Sequence, residues 1–232
     1  MGQLWRFLFT VIIPLGLFNV STDAWSAEKA LLDWFKNSDI VSKLHEEHVA
    51  SESVRHMFKG TPLVSAPDDA KMKFAEGPFG SMVAQFMASE QEVLGDWKVD
   101  KIVEAANANF DTEEANNLLE KELTGNVVTM FSFVDCPWCL LGKRLLSGEP
   151  YCLADGDGVL EIVELEELGP KGKALRAAIA LETRRTSMPA VFIGRKAIGG
   201  YTDGMPGLMK LHEDGALMEM IDLAKPSSNS MF

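Results

Sequence analysis

Cys136-Pro137-Trp138-Cys139 follows an apolar, strand-like run, Val127 to Phe133, and opens a stretch from Leu140 to Leu146 that reads as a helix. Asp135 ends the strand, so Cys136 is expected at the N-cap and Pro137 at the first helical position, where a missing N–H and a fixed φ cost nothing. The free N–H groups of Trp138 and Cys139 then point back at the Cys136 sulfur. With the positive end of the helix dipole they favour a thiolate there, which makes Cys136 the expected nucleophile. Cys139, one turn in, lies within disulfide reach and can attack a mixed disulfide formed on Cys136. Zinc would need two more ligands at comparable spacing. Only Cys152 remains, and His45, His48, His56 and His212 form no partner pattern, so no metal is expected. A permanent structural disulfide is the other alternative, but a two-residue loop at a helix start makes a strained bridge suited to exchange.

Farther along, Thr186-Ser187-Met188-Pro189-Ala190-Val191-Phe192-Ile193-Gly194 leads into Ile198-Gly199-Gly200-Tyr201-Thr202-Asp203. Together with Cys136-Pro137-Trp138-Cys139, these strings resemble the dithiol glutaredoxins. The resemblance implies a cis bond before Pro189, a Met188 backbone that pairs with the cysteinyl part of glutathione, and an Asp203 carboxylate that takes the α-ammonium of its γ-glutamyl end. Elementary physics agrees, since cis peptides are nearly confined to X-Pro bonds and such a bond turns a strand end toward a bound peptide. Thr202 and Asp203 are expected to open the next helix, whose free N–H groups suit a carboxylate, while Gly199 and Gly200 let the backbone approach closely. A plain N-cap is the alternative role for Asp203.

Two positions depart from the family pattern. A lysine usual three residues before the first cysteine, where it helps hold the glycine carboxylate of glutathione, is Phe133 here. The usual Thr-Val-Pro is Ser187-Met188-Pro189, preceded by Arg184-Arg185-Thr186. Arg185 is expected to supply the missing cation, with capping of a helix C-terminus as the alternative for Arg184 and Arg185. Trp138 is expected to shape the rim. Cluster binding is disfavoured because Pro137 stiffens the loop and removes an N–H.

The elements that must position these residues are readable over residues 111–224. Asp111 caps a helix from Thr112 to Leu123, with Glu114 completing a capping-box pattern. Then follow the Val127–Phe133 strand, the Cys136 helix, a strand from Val159 to Leu165, a helix from Lys171 to Thr183, strands Ala190–Ile193 and Lys196–Ile198, and a helix from Asp203 to Glu213. The β-α-β start predicts parallel strands, and the Gly194-Arg195 turn predicts an antiparallel hairpin. This is an α/β, thioredoxin-like layout: a four-stranded mixed sheet flanked by helices. Residues 25–110 read as a mainly helical accessory region separate from it, with a helix over Ala27–Val41, a loop over Gly60–Asp69 and a helix over Phe79–Leu94. Residues 225–232 read as a flexible tail.

Residues 1–24 read as a leader. Leu4 to Phe18 is mostly apolar after one cation, Arg6, yet Pro14 and Gly16 interrupt it and it falls short of the roughly 20 residues of a membrane span. The expected location is the secretory pathway or ER lumen, and membrane association follows only if the leader stays uncleaved. Thr22-Asp23-Ala24-Trp25 also resembles the bipartite leader of complex plastids, but the acidic residues after it argue against a transit peptide. Net charge is −12, with 10 basic and 19 acidic residues over 1–120 against 12 and 15 over 121–232, so no basic face for nucleic acid appears. Three cysteines are too few for a disulfide scaffold. Cys152 is expected to pack as a small buried residue, a regulatory thiol being the alternative.

The function these observations imply is a glutathione-dependent thiol–disulfide oxidoreductase, with glutathione as co-substrate and glutathionylated or disulfide-bonded proteins as partners. One alternative is a thioredoxin-type or protein-disulfide-isomerase-type oxidoreductase of the secretory pathway. The other is a membrane-tethered partner-binding module with a vestigial redox site, against which intact Cys136, Cys139, Pro189 and Asp203 speak.

Overall fold

A computed structural model describes residues 66–106, 111–204 and 206–225, all within one compact unit, Glu46–Phe232. The leader, the Ala27–Val41 helix, His45, His48, His56 and the tail beyond Lys225 lie outside the described residues.

Strand β1, Val128–Ser132, is buried at every position, as an apolar run in the middle of a sheet must be. On one side it pairs in parallel with β2, Leu160–Glu164, from Val128↔Leu160 to Ser132↔Glu164. On the other it pairs antiparallel with β3, Ala190–Ile193, from Val128↔Ile193 to Phe131↔Ala190. β3 turns through Gly194 and Arg195, both at positive φ, into the antiparallel β4, Lys196–Gly199. The sheet order is therefore β2-β1-β3-β4, the four-stranded mixed sheet expected.

Helix α1 is Asp68–Glu76, α2 is Pro78–Ala106 and α3 is Thr112–Leu123. The Asp111 carboxylate accepts the N–H groups of Glu113 at 2.8 Å and Glu114 at 3.2 Å, which starts α3 where the sequence predicts. Helix α4, Pro137–Ser147, follows β1, and α5, Pro170–Thr183, follows β2. Two short helices close the chain, α6 at Leu208–Glu213 and α7 at Ala216–Ala224, separated by Gly215 in the left-handed region. Leu217 and Ile221 bury α7, with Met218 and Met220 packed beside the same core.

One expectation changes here. The part of the accessory region that is described does not stand apart from the sheet. α1 lies on α4, and α2 lies on α5, where Val99, Ile102 and Ala106 meet Ala177 and Ala180. Alanine on both helices lets the backbones approach closely, and only a tertiary contact of this kind decides that a helix belongs to a neighbouring unit. The start of α1 at Asp68 also shortens the expected Gly60–Asp69 loop.

Candidate redox site

Cys136 is the N-cap of α4 and Pro137 its first residue. The Cys139 N–H reaches the Cys136 sulfur at 3.4 Å; of the two N–H groups expected there, it is the one in place. On the opposite side the Cys136 thiol faces the Met188 carbonyl oxygen at 3.8 Å. Both cysteines are free and buried. Burial first, and then the neighbouring Cys136, push the Cys139 thiol well above its ordinary value, so it stays protonated at neutral pH. The pair is thus asymmetric.

The loop opposite begins at Arg184, the left-handed C-cap of α5, and runs to the cis bond between Met188 and Pro189. Arg185 donates to Asp203 Oδ2 at 2.5 Å and the Ser187 hydroxyl donates to the same oxygen at 2.5 Å. A Cβ on Gly200 would fall 2.1 Å from Asp203 Oδ1 and 3.1 Å from the Pro189 carbonyl, so glycine is what lets the carboxylate sit against the proline. Gly200 and Asp203 are thereby held against Pro189, the residue after the Met188 carbonyl that faces the sulfur, with Thr202 exposed on the same turn.

Three expectations are corrected at this site. Asp203 does not open a helix: Gly204 and Gly207 take positive φ after it, and α6 begins only at Leu208. Arg185 is committed to Asp203 rather than standing across the groove at the Phe133 position. The cation near Phe133 is Arg176, whose guanidinium carbon lies 5.2 Å from the Phe133 ring centroid. Its Nε is buried with no hydrogen-bond partner among the described residues, and burial, opposed by Glu166, lowers its pKa to about 10, which still leaves it charged. Finally, Cys152 is exposed at positive φ rather than buried, because the Gly148–Cys152 turn carries it outward.

Sequence reasoning also missed three residues from the N-terminal helices. Lys71 is buried and bridges Asp135, at 2.8 Å, and Asp68, at 3.2 Å; burial opposes its charge, but the two carboxylates outweigh it and raise its pKa. Phe74 packs edge-on against Trp138 with ring centroids 6.4 Å apart. Gln91 reaches the loop before Met188, donating to the Arg184 carbonyl at 2.9 Å. No local pattern marks any of the three. Arg176 did have a signal, since the absence of a cation at Phe133 asks which other helix could bring one. Among the described residues, no group of three or more His, Cys, Asp and Glu is gathered to hold a metal ion.

A cysteine delivered by the central strand to a helix start, a second one turn in and a cis-proline loop facing the first define a thiol–disulfide oxidoreductase of thioredoxin-like fold. No family model matches the chain. Glutaredoxin-2 of Schizosaccharomyces pombe is 30% identical over 122 residues, spanning 52% of this chain and 98% of that protein. A glutaredoxin of Solanum lycopersicum is 34% identical over 99 residues, spanning 43% of this chain and 81% of that one. Among solved structures, a buckwheat glutaredoxin–glutathione complex matches at 26% identity with a TM-score of 0.43, over 51% of this chain and 96% of that one. The chain belongs to the glutaredoxin family.

Proposed function

We propose that the protein is a glutathione-dependent oxidoreductase that reduces protein–glutathione mixed disulfides and protein disulfides. The observation that carries this reading is the placement of the Cys136 sulfur 3.8 Å from the Met188 carbonyl oxygen, on a loop whose Ser187 and Arg185 hold the Asp203 carboxylate. One groove then offers a nucleophile, peptide backbone and an anion for the γ-glutamyl ammonium. Arg176, over the Phe133 ring, supplies the cation for the glycine carboxylate.

The Cys136 thiolate attacks the glutathione sulfur of a mixed disulfide, and the protein thiolate leaves and takes a proton. A second glutathione thiolate then attacks the glutathione sulfur held on Cys136, releasing oxidised glutathione and restoring Cys136. One free glutathione is consumed per mixed disulfide, and it leaves joined to the glutathione that the disulfide already held. With a protein disulfide, Cys136 attacks first and releases one protein thiolate. Cys139 then loses its proton as it attacks the Cys136 sulfur, the second protein thiolate leaves and takes a proton, and two glutathiones reduce the Cys136–Cys139 bridge, leaving as oxidised glutathione. The leader reading places this activity in the secretory pathway, with residues 111–224 as the redox domain; tagging the intact N-terminus in cells tests the location.

The test is a glutathione-coupled assay of the full chain on a glutathionylated substrate. Saturable dependence on glutathione is expected. Turnover supported only by a dithiol reductant would overturn the reading in favour of a protein-disulfide enzyme.

A further inference from the structure

We infer that Gln91 is a positioning residue for the redox site: it fixes the loop from Arg184 to Pro189 on which glutathione is read. The inference rests on the proposed glutathione reading and adds to it a residue from outside the redox unit.

The loop leaves α5 through a left-handed residue, and α5 supplies one partner to its backbone, the Thr183 hydroxyl, which accepts the Arg185 N–H at 3.2 Å. Gln91 supplies partners for the residues on either side, Arg184 and Thr186. Its amide nitrogen donates to the Arg184 carbonyl at 2.9 Å. Its amide oxygen accepts the Thr186 N–H at 3.2 Å and the Thr186 hydroxyl at 2.8 Å. A primary amide carries a donor and an acceptor side by side, so one side chain bridges a carbonyl and an N–H two residues apart as a neighbouring strand would.

Two further observations show that this contact is built. Gln91 is only 8% exposed, so each unmet polar atom there carries a desolvation cost. Gly95, one turn on in α2, is a helix-interior glycine, a residue that ordinarily costs stability. A Cβ at that position would lie 2.6 Å from the Gln91 amide nitrogen, so the missing side chain is the space the amide occupies. The base is fixed too, since Val99, Ile102 and Ala106 seat α2 on α5.

What the clamp fixes is chemical. Directly beyond Thr186 stand Ser187, which holds Asp203, and Met188, whose carbonyl faces Cys136. A loop free to swing loses register with both at once, while the dithiol, mounted on β1 and α4, stays in place. Glutathione binding should therefore weaken with little change in the chemical step.

The experiment uses the full chain and measures KM for glutathione and the rate at saturating glutathione, with a thermal melt of each variant. Gln91→Leu removes both ends of the clamp and is expected to raise KM about tenfold, the equivalent of two ordinary buried hydrogen bonds, while keeping most of the saturated rate. Gly95→Ala is the control against simple unfolding: alanine favours the helix, yet its methyl displaces the amide, so KM rises without a matching loss of melting temperature. Wild-type KM in both folded variants would overturn the inference, as would a lowered melting temperature with KM unchanged. If the wild type shows no saturable dependence on glutathione, the functional reading itself fails, which is a distinguishable result.

Discussion

The segment Val128–Ser147 and the helical pair Asp68–Ala106 act on the same site by different means. In the first, strand, N-cap cysteine and helix are contiguous, and the chemistry follows from short-range geometry. In the second, Lys71, Phe74 and Gln91 reach Asp135, Trp138 and Arg184 across large separations in sequence, each by one side chain. Contiguous devices leave a spacing that can be recognised, while long-range ones leave only an ordinary lysine, phenylalanine or glutamine. The difference teaches that reactivity and the alignment of its substrate loop are carried by separate parts of this chain.

The strongest way to break that division is to remove the nucleophile. Cys136→Ser is expected to abolish all turnover, whereas Cys139→Ser keeps reduction of glutathione mixed disulfides and loses only that of protein disulfides, since the first reaction needs one thiolate and the second a resolving thiol. Equal loss from both, measured on the two substrate types, would end the glutathione mechanism.

A smaller effect is expected from Arg176→Ala. Loss of one charge-assisted contact amounts to roughly 1.5 to 3 kcal/mol of glutathione binding, and the residual affinity should depend less on salt. Arg185→Ala serves as its comparison, because Arg185 acts on the ligand only through Asp203. If Arg185→Ala proves the less salt-sensitive of the two in KM titrations, the roles are reversed.

Lys71→Met tests the helical pair from its other end. It removes the ion pairs to the Asp135 and Asp68 carboxylates, but both reach water, so the cost should be about 2 kcal/mol, below the roughly 3 to 5 of a fully buried pair. Denaturant melts should show the loss while KM for glutathione holds. A KM shift as large as that of Gln91→Leu would mean that α1 also aligns substrate. At the low end, Cys152→Ser is expected to leave turnover within error of wild type, since the exposed thiol follows the C-terminal end of α4, the opposite end from Cys136.

The four-stranded mixed sheet, its parallel first pair and the position of the dithiol were legible because alternation of elements, an N-cap cysteine and a proline at the first helical turn are local signals, whereas the pairing of β3 with β1 that sets the strand order was not. The Gly194-Arg195 hairpin was legible for the same reason. The start of α6 was not, because Thr202-Asp203 has good capping chemistry and only the positive φ of Gly204 and Gly207 delays the helix. Arg185 and Arg176 are indistinguishable as cations in sequence. What separates them is that one faces Asp203 and the other Phe133, a matter of packing. The placement of α2 on α5 likewise rests on alanines that carry no signature of their own.

The central position of β1 also bears on how the chain is made. Its two neighbours are β2, which ends at Glu164, and β3, which ends at Ile193, so synthesis must pass Ile193 before the active-site strand has both partners. Closing such non-local pairs is slow compared with forming helices. In the first part of that interval α5, the seat for Val99 and Ile102, is still to be made as well, since it spans Pro170–Thr183. A nascent chain therefore carries its two reactive thiols uncovered beside an unpaired apolar strand, and exposed surface of that kind is where misfolding and premature oxidation begin.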